Sequence, residues 1–162
     1  MNQNDIFVKN AINAWQAQLD FLNKDLEKLS DEQLMQEIAP TRNRGTYLLG
    51  HLTAVHDLML PLLRFEASLY PELKPVFIDE ADKKGNATHS AKQLREQWKT
   101  VNEKLNNHIN SLSAGQWLER HNSISEEDFV KEPLRNRISV LLSRTNHLSY
   151  HRGQIVLLVK KS

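Results

Sequence analysis

Two histidines four residues apart, His147 and His151 in NHLSYHRGQI, are the side chains of this sequence best spaced for chemistry. On a helix they leave one face a turn apart and can converge on a single cation. A third donor is needed, and His51 is the strongest candidate. It sits in the apolar stretch LLGHLTAVHDLMLPLL, flanked on its own face by Leu48, Val55 and Leu58, where an unpaired polar ring would carry a desolvation cost. His56 has the apolar neighbours Leu52, Met59 and Leu60, but five residues of helix rotate it by about 140° from His51, so the two rings do not face one ion. Three neutral imidazoles leave coordination positions for water or substrate, whereas a closed structural zinc site has four protein ligands. Zn²⁺ and Ni²⁺ are the expected ions; imidazole also suits Fe²⁺ and Cu²⁺.

The residues after His151 are Arg152, Gly153 and Gln154. Glycine inside a helix costs about 1 kcal/mol relative to alanine, so Gly153 points to close approach of another helix. Gln154 is placed to orient a ligand or to bind substrate. No carboxylate of the last helix shares the histidine face, which leaves His56, Arg152 and Gln154 as the groups that would assist catalysis. Taken singly, His56, His89, His108 and His121 read as histidines satisfied by ordinary hydrogen bonds.

Four helical segments must position these groups. Apolar residues recur every three or four positions from about Asn4 to Leu29, from about Arg44 to Leu69, from about Ser90 to Leu112 and from about Leu134 to Lys160. Pro61 should bend or interrupt the second. The segment from Tyr70 to His89 contains Pro71, Pro75, Gly85 and Asn86, turn-forming chemistry that suits a long connection between the second and third helices. Alternating strand patterns are lacking, so the fold class is all-α, a four-helix bundle. The two halves also echo each other: LSDEQLMQEIAPTRNRGTYLLGHL from Leu29 resembles LSAGQWLERHNSISEEDFVKEPLRNRISVLLSRTNHL from Leu112, with extra residues in the second linker.

GHL around His51, following RNRGTYLL, and NHLSYHRGQI around His147 and His151 resemble the DinB-like, or YfiT-like, family of metal-dependent enzymes, and the likeness extends over nearly the whole chain. The resemblance implies an up-down-down-up bundle, often a homodimer, with a metal between the second and fourth helices held by His51, His147 and His151. It further implies a small-molecule substrate, with transferases and isomerases that use low-molecular-weight thiols, and hydrolases, among the relatives. His56 has no counterpart role in that pattern.

The 162 residues suit one domain, residues 1–162, and 40% hydrophobic with 25% charged residues is an ordinary globular composition. A formal net charge of +1 provides no field for nucleic acid, so the DNA-damage role that the family name suggests gains no physical support. Cysteine is absent, which removes disulfides, thiolate ligands and a cysteine nucleophile. The N-terminus carries no secretory pattern and no apolar run approaches ~20 residues, so a cytoplasmic protein without a membrane span is expected. The function that follows is a metal-dependent hydrolase or thiol transferase; the alternative is a non-catalytic metal- or ligand-binding bundle.

Overall fold

The computed structural model describes residues 2–82 and 89–159. Four long helices carry it: α1 (Gln3–Glu27), α3 (Gly45–Leu62), α5 (Ala91–Ser111) and α8 (Arg137–Ile155), the last continued by a 3₁₀ turn, Val156–Leu158. Short helices lie in the connections: α2 (Asp31–Leu34), α4 (Leu73–Phe77), α6 (Ala114–Trp117) and α7 (Glu126–Lys131). Among the described residues there is no strand, only two isolated antiparallel bridges, Glu37 with Arg44 and Arg120 with Asn136. No helix among them is long and apolar enough to cross a membrane.

Side-chain contacts fix the directions of the long helices. Arg152, late in α8, pairs with Asp25, late in α1, at 2.8 Å, so these two run parallel. Arg95, early in α5, donates to the Leu26 carbonyl at the end of α1, so α5 runs the other way. His108 near the end of α5 meets Glu66 just past the end of α3, making α3 parallel to α5. The order is up-down-down-up, as expected, with α1 packed on α8 and α3 on α5. One core runs through all four, anchored by Trp15, Leu19, Leu22, Leu48, Leu52, Met59, Leu105 and Leu141.

The second long helix stops at Leu62 instead of reaching Leu69. Pro61 lies in its last turn, and the chain leaves through Arg64 at φ 62°. The Phe65 N–H returns to the Leu60 carbonyl and the Arg64 N–H to the Pro61 carbonyl, a Schellman closure that satisfies the last carbonyls. Buried Asp57 then accepts the amides of Leu69 (2.7 Å) and Tyr70 (3.0 Å), fastening the returning chain to α3. The connection that follows, expected as turns, contains α4; its Gly85 and Asn86 lie outside the described residues.

The echo between halves has a structural counterpart. Ser30 with Gln33 and Ser113 with Gln116 form reciprocal capping boxes on α2 and α6, which bury Leu34 and Trp117. Gly45 N–H then donates to Gln36 O, and Arg137 N–H to Glu119 O, at the starts of α3 and α8. These bonds pair Gly45 with Arg137, one residue out of step with the matching RNR triplets. Two similar hairpins thus face each other across the bundle.

Candidate metal centre

The three expected histidines come together. The Nε2 atoms of His51 and His151 each lie 3.1 Å from Nε2 of His147, and the three candidate donor atoms all fall within 4.8 Å of one another. Tetrahedral ligands about 2.0–2.1 Å from zinc are roughly 3.3 Å apart, so the spacing suits one small cation. All three rings are half-buried, which leaves the cluster an open side. This is the one group of three or more metal-capable side chains among the described residues.

Ring orientation is set from outside the cluster. His51 Nδ1 lies 2.8 Å from the Phe77 carbonyl, which can only accept; the ring therefore carries its proton on Nδ1 and turns a bare Nε2 inward. His151 Nδ1 donates to Gln154 Oε1 at 2.7 Å, with the same result. His147 Nδ1 is buried without a partner. One proton on His147 Nε2 could satisfy only one of its two bare neighbours, so the cluster keeps a bare Nε2 facing inward and could hold a cation. Burial, then the neighbouring His151, His51 and Arg144, pushes His147 down to about 4, and burial lowers His151 as well. The neutral form that a metal requires is thus favoured.

Gly50 explains the first half of the motif. A Cβ there would lie 2.4 Å from the Phe77 ring, so the bare backbone lets Phe77 close on α3 and bring its carbonyl to His51. Tyr47, one turn earlier, packs on Phe77 and against His51 at ring separations of 5.9 and 6.4 Å and donates its hydroxyl to Glu80 O at 2.6 Å. The spacing of Tyr47 from His51 was legible in the sequence; a backbone carbonyl 26 residues away was not.

Of the three groups expected to assist, Gln154 alone joins the cluster. His56 is fully buried between Trp15 and Trp98, each ring centroid 4.8 Å away, with Nδ1 on Asn102 Oδ1 at 2.8 Å. Burial drives it to about 3, so it is neutral at ordinary pH. Arg152 is taken up by Asp25 and by the Phe21 ring beneath it, at 4.8 Å. Gly153 corrects an expectation: nothing lies within 4 Å of a Cβ built there, so no helix among the described residues approaches it closely. The close approaches are at Gly50 and at Gly45, where a Cβ would meet Leu158 at 2.5 Å and the Leu34 carbonyl at 2.8 Å.

A family model described as the DinB superfamily matches residues 10–155. Among solved structures, a conserved protein from Enterococcus faecalis is similar with a TM-score of 0.63 and 15% identity, over 93% of this chain and 95% of that one. That likeness shows the fold alone. No curated protein matches the chain significantly.

Proposed function

Because the chain belongs to the DinB superfamily, we propose that it is a metal-dependent enzyme whose divalent ion, Zn²⁺ or Ni²⁺, is held by His51, His147 and His151. The observation that carries this reading is the convergence of three Nε2 atoms, two of them deprotonated by the bonds their Nδ1 atoms make. A bound ion would supply Lewis acidity to a water or thiol in the remaining positions. Phe77 and Gln154 fix the two tautomers, and the half-buried rings leave a face for a substrate.

In this reading the nucleophile comes from solution, as water or a small-molecule thiol. The chain has no cysteine, and among the described residues no carboxylate belongs to the cluster to serve as a base. This favours a hydrolase or a thiol transferase acting on a small molecule.

The test is metal analysis of protein purified without chelators or affinity nickel, together with His147→Ala and His151→Ala. About one ion per chain in the wild type, lost in both variants while the fold persists by circular dichroism, is expected. Absence of metal after reconstitution with Zn²⁺, Ni²⁺ or Mn²⁺ sinks the reading. A bound ion with no turnover of thiol-transfer or hydrolysis substrates leaves a metal-binding bundle. Gln154→Ala, which frees the His151 ring to turn, is expected to weaken metal affinity about 10–100-fold.

A further inference from the structure

Arg144 lies on α8 three residues before His147, in line with both α8 histidines. The other partly or fully buried arginines, Arg44, Arg95, Arg120, Arg137 and Arg152, each pair with a carboxylate. Arg144 has no hydrogen bond or ion pair among the described residues, and its Nε is buried without a partner. Leaving a half-buried guanidinium unmatched is costly unless something else supplies the anion.

It lines an open surface depression of about 250 Å³ with His121, Ser123, Arg135, Ser139 and Ser143, its apolar side formed by Leu62, Leu134 and Val140. No carboxylate lines it. His121 Nδ1 accepts the Ser123 N–H at 3.2 Å, so its ring, kept neutral by burial and by Arg135, carries a donor proton on Nε2. Two guanidinium groups, an imidazole N–H and the Ser143 hydroxyl around a small hollow make a site with donors and no negative charge, the Ser123 and Ser139 hydroxyls being spent on His121 Nδ1 and the Leu134 carbonyl. Arg135 has only an exposed contact to Glu132, at 3.7 Å.

The geometry points to this hollow as an anion subsite, in which Arg144 and Arg135 hold the carboxylate or phosphate of a small molecule whose other end reaches the three-histidine centre. On α8, Arg144 lies three residues from His147, about 4.5 Å of rise, and Val140 at the far wall of the hollow lies seven, about 10 Å. Along α3 the matching row is His51, Val55, Leu58 and Leu62, apolar in all its positions between the histidine and the hollow. The substrate class is therefore an anion with a short apolar body and a reactive group about 5–10 Å from its charge. This extension rests on the metal reading above, so the test separates the two.

Inorganic phosphate and succinate are titrated into full-length, zinc-reconstituted protein while amide shifts are followed. One anion or both should move Ser123, Ser139 and Ser143 saturably, the stronger identifying phosphate or carboxylate. Arg144→Gln should weaken binding at least about tenfold at unchanged zinc content, and Arg144→Lys should recover part of it. Should Arg144→Gln fail to fold, Ser143→Glu places a carboxylate in the hollow from an exposed position and should abolish binding. Equal binding in these variants, or no response to either anion, overturns the subsite. Mercaptooctanoic acid, with thiol and carboxylate at opposite ends, should bind wild type at least about tenfold tighter than octanoic acid only when zinc is present. No gain with zinc bound removes the link to the centre; anion binding by protein that takes up no metal overturns the metal reading and leaves the hollow.

Discussion

The two ends of the α3–α8 seam are built alike and equipped differently. Hydrogen bonding at the helix starts pairs Gly45 with Arg137, and the same register pairs Gly50 with Leu142 and His51 with Ser143. At the first end α4 lies over Gly50 and the Phe77 carbonyl aims the His51 ring. At the second, Leu142 is 37% exposed with no such cover, and Ser143 borders the hollow at Arg144. A near-symmetric scaffold thus becomes a one-sided site through the connection that folds over one end. The resemblance of GHL to NHL is not this symmetry: His147 lies one turn beyond the position paired with His51, which is what lets it meet His51 across the seam.

Removing matched plugs tests how equal the halves are. Leu34 and Trp117 are both fully buried beneath their capping boxes. Trp117→Ala should cost about 3–5 kcal/mol and Leu34→Ala about 2–5 kcal/mol in urea unfolding. Near-zero cost at either would mean that the two hairpins do not share the load. The α2–α6 echo was readable as LSDEQL against LSAGQW, because a capping box needs only Ser and Gln three apart.

The bundle's middle breaks the symmetry a second way. The match of Leu29 with Leu112 pairs Trp15 with Trp98, and both rings pack on one residue, His56, whose own partner position on α8 is Leu148. Sequence could find the apolar neighbours of His56 but not the pair of indoles, which come from two other helices. Its folded pKa of about 3 lies below the ordinary 6.5, so the unfolded chain takes up a proton first. The stability this group contributes is complete above about pH 6.5 and is lost as pH falls toward 3. Between pH 6.5 and 5 the loss from this residue is about 2 kcal/mol. In metal-free protein, urea unfolding of His56→Leu should show a pH dependence shallower by that amount; an unchanged slope would remove His56 from the acid sensitivity.

The smallest expected effects discriminate between two glycines that sequence alone makes look alike, since each stands within two residues of a histidine of the three-histidine cluster on a helix. Helix periodicity reports which face a residue occupies but not what crosses that face, and the distinction depends on α4, a helix within a stretch read as turns. At Gly50 a methyl group would lie 2.4 Å from the Phe77 ring. Gly50→Ala must displace Phe77, at about 1–3 kcal/mol, and the displaced carbonyl would release the His51 tautomer, so metal affinity should fall with stability. At Gly153 the space is open, and Gly153→Ala should stabilise by about 0.5–1 kcal/mol through helix propensity alone. Metal titration and urea unfolding of the two variants read both quantities. If Gly50→Ala binds metal as the wild type does, the α4 connection is a cover and not an orienting element, and the one-sidedness of the seam must come from the histidines themselves.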